Sequence, residues 1–302
     1  MWPQPLQQHR RGARCAGAAV PEQSLPMSPT DLWLLGHGIT ASPSPRMQEA
    51  ALRARGVEGS YRIVDVTPDE LGEALRRLRA GEACGANVTI PHKLAVAAAC
   101  DRLEGDAALT GAVNTVVVEE GRLLGANTDA AGLEGALRGA GLWPAAGTDA
   151  VVLGAGGAAA AALLALSRVP AGRIWIAARR PEAARQLAER LAPVLDATPA
   201  AWDAAALEPL LAGAGTVVNA TPSGLAGLPL RLDGLPAGCT VVDLRYRPRP
   251  VDLVAAAGAA GLRACDGLEM LLHQGMLSFR RWTGLEPPWD EARAALHAAV
   301  GG

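Results

Sequence analysis

Residues 150–180 read AVVLGAGGAAAAALLALSRVPAGRIWIAARR: a short apolar run, a glycine-rich turn, an alanine-rich segment and a second apolar run. This order predicts a strand, a turn, a helix and a second strand, in which backbone N–H groups and the helix N-terminus can cradle a pyrophosphate. Gly154 and Gly156 fit the first two glycines of G-x-G-x-x-G, and Ala159 stands at the third position, where a small residue is allowed. The predicted cofactor-binding turn consists of Gly154, Ala155, Gly156, Gly157 and Ala158.

The end of the second predicted strand indicates which dinucleotide would bind. An acidic residue there usually binds the ribose 2′-hydroxyl, whereas this chain continues with Ala177, Ala178, Arg179 and Arg180. A guanidinium group can pair with a 2′-phosphate through two parallel hydrogen bonds. The arginines therefore predict NADP as the cofactor, and a solvated helix entry is the alternative interpretation of the same pair.

Outward from this stretch, short apolar runs alternate with alanine- and arginine-rich segments from Asp31 onward. The alternation predicts an α/β fold with a mostly parallel sheet covered on both faces. The segment EEGRLL, residues 119–124, predicts a β-hairpin that marks an edge of a first domain. Because a mononucleotide-binding unit begins afresh near Thr148, we place the domain crossing near residues 127–130.

The composition excludes several classes of function. Lys and Arg number 28 against 30 Asp and Glu, and aromatic residues make up 3% of the chain, so neither a nucleic-acid footprint nor a base-stacking platform is expected. No apolar run approaches the roughly 20 residues that span a bilayer. The five scattered cysteines form no C-x-x-C pair, which argues against a disulfide framework and a zinc site. We therefore expect a small-molecule ligand, no metal and a cytoplasmic location.

Several clusters of polar residues follow apolar runs. Ligands of open α/β sheets bind beyond the carboxyl ends of strands, so side chains at several such ends are expected to converge on one pocket. Each cluster alone also has a purely structural interpretation, because Ser44 and Asp129 suit helix N-caps and Asn114 suits a turn. The clusters are ASPSP (41–45), NVTIPHK (87–93), GAVNT (111–115) and GANTD (125–129).

NVTIPHK places Lys93 in the first turn of a helix that we expect to begin at Pro91. The positive end of the helix dipole disfavours a cation there by a few tenths of a kcal/mol to about 1 kcal/mol. Lys93 is therefore a candidate functional residue, since a positioned ammonium group can stabilise a developing oxyanion and deliver a proton. His92 is expected to face a different direction and to take no part.

The order and approximate spacing of several motifs make the chain similar to the shikimate dehydrogenase family from about Leu32 to the C-terminus. The motifs are NVTIPHK, GAVNTV, GANTDAAG, VLGAGGAAAA, NATPSG, DLRYRP and DGLEMLLHQG. Members of this family reduce 3-dehydroshikimate with NADPH on the pathway to chorismate and aromatic amino acids. They combine a split substrate domain with a Rossmann-like cofactor domain.

The resemblance implies a division of this chain into domains. We expect a disordered extension over residues 1–30, within which Met1 and Met27 both stay open as translation starts. A substrate-binding and catalytic domain over residues 31–128 would be completed by C-terminal helices over residues 267–302. A Rossmann-like NADP-binding domain would occupy residues 129–266.

The resemblance also implies roles for individual residues. Lys93 and Asp129 would form the catalytic pair. The substrate carboxylate would be bound by Ser42, Ser44 and Tyr246, and the ring hydroxyls by Thr89, Asn114 and Gln274. Arg179, Arg180 and Gly267 would join the glycine-rich turn in binding NADP.

The first motif departs from the family pattern G-x-P-I-x-H-S-x-S-P. GHGITASPSP has Gly38 at the proline position and Ala41 at the histidine position, and Gln48 also stands where histidine is common. These changes leave quinate or aminoshikimate open as the preferred substrate.

A non-catalytic sensor of a shikimate-pathway metabolite is the alternative from another class, and it is disfavoured because Lys93 and Asp129 are both present. The oligomeric state stays open, with a homodimer as one candidate.

Overall fold

The computed structural model describes residues 30–169 and 172–301. The predicted disordered extension lies outside the described residues except for Thr30, which opens the first strand and so does not belong to an extension. Two six-stranded sheets organise the described chain, and each carries its own apolar core. The predicted α/β class is confirmed, whereas the domain boundaries stay a prediction.

The strands alternate with helices along most of the chain. The strands are β1 (Thr30–Gly36), β2 (Gly59–Asp65), β3 (Gly85–Val88), β4 (Arg102–Leu103), β5 (Thr115–Glu119), β6 (Arg122–Ala126), β7 (Asp149–Leu153), β8 (Ile174–Ala177), β9 (Thr198–Ala200), β10 (Ala214–Asn219), β11 (Thr240–Asp243) and β12 (Arg263–Cys265). The helices are α1 (Ser44–Ala54), α2 (Leu71–Arg79), α3 (Lys93–Ala99), α4 (Asp106–Thr110), α5 (Asp129–Gly139), α6 (Gly157–Leu166), α7 (Pro181–Leu191), α8 (Ala204–Leu211), α9 (Asp252–Ala259), α10 (Leu268–Thr283) and α11 (Trp289–Val300). None of these described helices is both long and apolar enough to cross a membrane.

The first sheet is mixed, with the strand order β2-β1-β3-β5-β6-β4. β5 runs antiparallel to both of its neighbours, and the remaining pairs are parallel. The predicted hairpin is present, and Glu120 and Gly121 adopt the positive φ angles that a tight two-residue hairpin turn requires. Within the sheet the hairpin is not at an edge, because β3 pairs with the other side of β5 and the short strand β4 pairs with β6. That the hairpin marks an edge of the first domain stays a prediction.

The second sheet is parallel throughout, with the strand order β12-β11-β10-β7-β8-β9. Its central strands are short, apolar and buried, as expected of a parallel sheet covered on both faces. In register, Leu153 lies beside Ala177 and Asn219, and Asn219 lies beside Asp243. The glycine-rich turn, the two arginines and the loops after β10 and β11 therefore meet at one edge of the sheet.

The last two helices return to the first sheet. Leu272, Met276 and Phe279 of α10 share an apolar core with α1 and α11. On another side α10 packs closely on α5, where a Cβ atom at Gly132 would lie 2.7 Å from the Cβ of Gln274. This close approach needs glycine, and it brings Gln274 to the residues that follow β6.

Candidate active site

A cavity of about 500 Å³ opens at one edge of the first sheet. Thr89 follows β3 and Asp129 follows β6, while Asn114 precedes the antiparallel strand β5, so the three lie at the same edge. α10 and the loop after β11 close the opposite side. The predicted catalytic and substrate-binding residues that line this cavity are Ser42, Ser44, Thr89, Lys93, Asn114, Asp129, Tyr246 and Gln274.

Lys93 and Asp129 form an ion pair in this cavity. Lys93 Nζ donates to Asp129 Oδ2 over 2.5 Å, and the two side chains are 20% and 7% exposed. Each is the first residue of its helix, so the pair joins the N-termini of α3 and α5. The helix dipole favours the carboxylate but not the ammonium group, and the carboxylate supplies the negative charge that compensates Lys93.

The turn before Lys93 differs from the prediction in one respect. The helix begins at Lys93 and not at Pro91, because residues 89–92 form a separate turn in which the His92 N–H donates to the Thr89 carbonyl over 2.9 Å. His92 is buried, and its Nε2 donates to the Val66 carbonyl over 2.8 Å. As expected, the imidazole faces away from the cavity.

Asn114 holds the carboxylate of this ion pair through the oxygen that Lys93 does not contact. Its Nδ2 donates to Asp129 Oδ1 over 2.7 Å and lies 3.2 Å from Gln274 Oε1. Its Oδ1 accepts hydrogen bonds of 2.8 Å from the Thr128 N–H and from the Thr115 hydroxyl. Because both ends of the amide are engaged, Asn114 cannot turn over, and it holds Asp129 in one orientation.

A second layer of polar side chains lies beneath Asn114, and sequence reasoning missed it. Asn87 Nδ2 donates over 3.0 Å both to the Asn114 carbonyl and to Ser278 Oγ, and Asn87 Oδ1 accepts from the Tyr61 hydroxyl over 2.8 Å. Burial raises the pKa of Tyr61, so the phenol keeps its proton and serves as the donor. Asn87 could have been noticed from its place in NVTIPHK, whereas Tyr61 and Ser278 carry no sequence signal.

Hydroxyl groups line the other end of the cavity. The Ser44 N–H donates to Ser42 Oγ over 3.3 Å, and the two hydroxyls lie 3.2 Å apart. Burial raises the pKa of Tyr246, so its phenol is neutral and can donate to a carboxylate. Arg245 and Arg247, which were not predicted, also line the cavity, but the guanidinium group of Arg245 is already paired with two carboxylates.

A second cavity of about 470 Å³ lies at the corresponding edge of the second sheet. Of the predicted cofactor residues, it is lined by Gly154, Ala155, Gly156, Arg179 and Arg180. Gly157 and Ala158 do not line it, because they already belong to the first turn of α6. Sequence reasoning missed Ala178, Ala183, Trp202, Ala220, Thr221 and Pro222, the last three of which belong to the NATPSG motif.

Gly267, which was predicted to bind NADP, lines the substrate-side cavity and precedes α10. A Cβ atom at this position would collide with the Leu244 carbonyl. Gly267 therefore permits the close approach of α10 to the residue that follows β11. Its part in binding NADP stays a prediction.

The glycine-rich turn fits the diphosphate of a dinucleotide. Gly154 has a φ of +119°, and a Cβ atom there would lie 2.9 Å from the Ala220 carbonyl, so the turn requires glycine. At Gly156 an added Cβ would meet nothing within 4 Å, which leaves the backbone open to a ligand. Open backbone N–H groups at the start of α6 and two arginines beside them match the charge of NADP.

The Lys93 side chain lies close to the start of α6, which follows the glycine-rich turn. A Cβ atom added to Gly157, the first residue of α6, would lie 3.7 Å from Lys93 Cδ. The side chain of Lys93 thus reaches the polar groups of the first cavity and passes close to the first residue of α6. This position suits a residue that acts where a substrate and a dinucleotide meet.

Comparisons with known proteins agree with this geometry. A family profile described as "Shikimate dehydrogenase substrate binding domain" matches residues 34–116, and one described as "Shikimate 5'-dehydrogenase C-terminal domain" matches residues 267–297. The curated "Shikimate dehydrogenase (NADP(+))" of Symbiobacterium thermophilum is 43% identical over 282 residues, which cover 90% of this chain and 95% of the relative. This chain belongs to the shikimate dehydrogenase family.

Solved structures extend the family relationship to the fold. The shikimate 5-dehydrogenase of Thermus thermophilus, crystallised with NADP(H) and shikimate, has a TM-score of 0.79 and 39% identity over 89% of this chain and 99% of its own. The quinate dehydrogenase of Corynebacterium glutamicum in complex with NAD has a TM-score of 0.82 and 31% identity over 89% of this chain and 99% of its own. The predicted membership in the shikimate dehydrogenase family is confirmed.

Proposed function

We propose that this protein is an NADP-dependent shikimate dehydrogenase that interconverts 3-dehydroshikimate and shikimate on the pathway to chorismate and aromatic amino acids. The observation that carries the proposal is the Lys93–Asp129 ion pair of 2.5 Å, which is held by Asn114, lines the first cavity and lies close to the start of α6. Apart from the guanidinium groups of Arg245 and Arg247, the remaining polar side chains of the first cavity carry hydroxyls and amides. Such a lining suits a small carboxylate with several hydroxyls better than an apolar ligand.

Each side chain has a distinct part in the proposed reaction. Bound NADPH supplies the hydride that reduces the ketone. Lys93 donates to the ketone oxygen as negative charge develops there, and it delivers the proton that completes the alcohol. Asp129 orients Lys93 through their ion pair and accepts a hydrogen bond from a substrate hydroxyl, so the pair can move a proton in either direction.

The binding residues act around this pair. Ser42, Ser44 and Tyr246 donate hydrogen bonds to the substrate carboxylate. Thr89, Asn114 and Gln274 bind the ring hydroxyls. For the cofactor, the turn over residues 154–158 receives the diphosphate on its N–H groups, and Arg179 and Arg180 pair with the 2′-phosphate.

A direct spectrophotometric assay of the purified full chain tests the proposal. Shikimate, quinate and aminoshikimate are each offered with NADP⁺ and with NAD⁺, and formation of the reduced cofactor is followed. We expect the highest kcat/KM for shikimate with NADP⁺. A higher value for quinate or aminoshikimate would reassign the substrate within the family, and binding of shikimate without turnover would favour a sensor. A Lys93→Met protein prepared in parallel reveals activity from a contaminating host enzyme.

The proposal also covers the cellular location and the oligomeric state of the protein. We assign the enzyme to the cytoplasm, where biosynthetic reactions draw on NADPH, and fractionation of cells that express a tagged chain tests this. A homodimer is the candidate assembly. Light scattering on the purified protein distinguishes it from a monomer.

A further inference from the structure

The loop that carries the two cavity serines, residues 37–44, is called the serine loop here. It joins β1 to α1, and Gly38, Ile39 and Ala41 line the substrate-side cavity together with the serines. One backbone hydrogen bond, from the Ser42 N–H to the Ile39 carbonyl over 2.9 Å, lies inside it. A loop of this kind needs outside contacts to keep two hydroxyls in one arrangement.

Asp65, the last residue of β2, holds the first half of the serine loop. Its Oδ1 accepts hydrogen bonds from His37 Nδ1 over 3.0 Å and from the Gly38 N–H over 3.1 Å, and its Oδ2 accepts from the Ile39 N–H over 3.4 Å. Gly38 has a φ of +68°, a conformation that favours glycine. The Gly38 N–H is the main cause that lowers the pKa of Asp65, so the carboxylate is charged at neutral pH.

Arg247, in the loop after β11, holds the second half. Its Nη1 donates to the Ala41 carbonyl over 2.7 Å, and its Nη2 donates to the Ala299 carbonyl over 3.0 Å. Ala299 lies in the last turn of α11, where carbonyls lack helical partners and the dipole favours a cation. The helix end thus orients the guanidinium group, which in turn fixes the residue next to Ser42.

We propose that Asp65 and Arg247 are positioning residues that clamp the serine loop, so that Ser42 and Ser44 are preorganised to receive the substrate carboxylate. The inference rests on the proposed function and assigns neither residue a contact with substrate. Asp65 carries a charge that would repel a carboxylate, and both terminal nitrogens of Arg247 are engaged by carbonyls. If the hydroxyls are already held in place before binding, the serine loop loses less conformational entropy when the substrate binds, and affinity is higher.

Steady-state kinetics of shikimate oxidation at saturating NADP⁺ test the clamp. Arg247→Ala removes two charged donors, whereas Asp65→Asn replaces a charged acceptor with a neutral one. We therefore expect the KM for shikimate to rise about 10-fold in Arg247→Ala and about 5-fold in Asp65→Asn, with kcat changed by less than about 3-fold. Arg247→Lys keeps the charge on a single donor nitrogen and should recover part of the loss. Arg249→Ala and Asp69→Asn are the matched controls, since Arg249 pairs with Asp266 and Asp69 is exposed, and both should keep the wild-type KM.

A double-mutant cycle separates positioning from direct binding. In a Ser42→Ala/Ser44→Ala protein, Arg247→Ala should raise the KM by less than about 2-fold further, because the clamp acts only through the serines. A full 10-fold increase in that background would mean that Arg247 binds substrate itself and would overturn the proposal. So would a wild-type KM in both Arg247→Ala and Asp65→Asn.

The same assay keeps the two levels of inference apart. A wild-type protein that fails to oxidise shikimate contradicts the proposed function and, with it, the clamp. An active wild-type protein whose clamp variants behave like the controls contradicts the clamp alone.

Discussion

The substrate-side and nucleotide-side cavities are built in different ways. The first takes its functional groups from side chains spread from Ser42 to Gln274, and most of these are held by hydrogen bonds to other side chains. The second takes most of its lining from one stretch of chain, residues 154–183. In this stretch the backbone conformation of the glycines sets the shape of the turn. Chemistry therefore depends on the identity of a few side chains, and cofactor binding depends on turn geometry and surface charge.

The largest expected effect lies on the substrate side. Lys93→Ala removes the only group that we assign to proton delivery, so kcat should fall by roughly 10² to 10⁴ with a smaller change in substrate KM. Single-turnover kinetics on the purified variant measure this loss. Leu94→Ala, at the exposed neighbouring position, should retain kcat within about 3-fold. Near-normal turnover in Lys93→Ala would remove the basis of the proposed mechanism.

On the nucleotide side, Arg179→Ala is expected to weaken NADP⁺ selectively. Loss of one charge-assisted pair with the 2′-phosphate should raise the KM for NADP⁺ about 10- to 100-fold and leave that for NAD⁺ unchanged. Arg185→Ala, an exposed arginine on the next helix, is the control. An unchanged ratio of NADP⁺ to NAD⁺ preference would show that the 2′-phosphate binds elsewhere.

Two glycines of the same turn should respond differently to alanine. Gly154→Ala forces a side chain into a positive φ and against the Ala220 carbonyl, so the free energy of unfolding should fall by about 1–3 kcal/mol. Gly156 has a φ of −89° and open space around it, so Gly156→Ala should keep the stability and raise only the KM for NADP⁺. Urea denaturation and cofactor titration separate the two outcomes. Equal loss of stability in both variants would contradict a backbone cradle at Gly156.

The smallest expected effect concerns the buried layer under the substrate-side cavity. Ser278→Ala removes one acceptor of Asn87 and should lower the free energy of unfolding by about 1 kcal/mol, with kcat reduced by less than about 3-fold. Ser167→Ala, which loses only a bond to a carbonyl of its own helix, should be close to neutral in both measurements. A 100-fold loss of kcat in Ser278→Ala would mean that this layer takes part in the chemistry.

Local patterns predicted those parts of the site whose geometry is set by neighbouring residues. The glycine-rich turn, the arginines after β8 and a lysine at a helix start could all be found because strand, turn and helix follow one another directly. The motif order indicated the family, and the predicted residues of the first cavity do lie together. The structural reason for glycine at position 267 is the Leu244 carbonyl, which no local pattern shows.

The sequence by itself determined the α/β class, the nucleotide turn and the choice of NADP, since the alternation of elements, the spacing of the glycines and the pair of arginines are each visible in neighbouring residues. The tertiary structure alone decided that the hairpin lies inside its sheet, that Asn87 and Ser278 support Asn114, and that Arg247 reaches Ala41. The last two contacts join residues 191 and 206 positions apart. Contacts at such separations follow from how the sheets and the C-terminal helices pack, so spacing along the chain cannot reveal them.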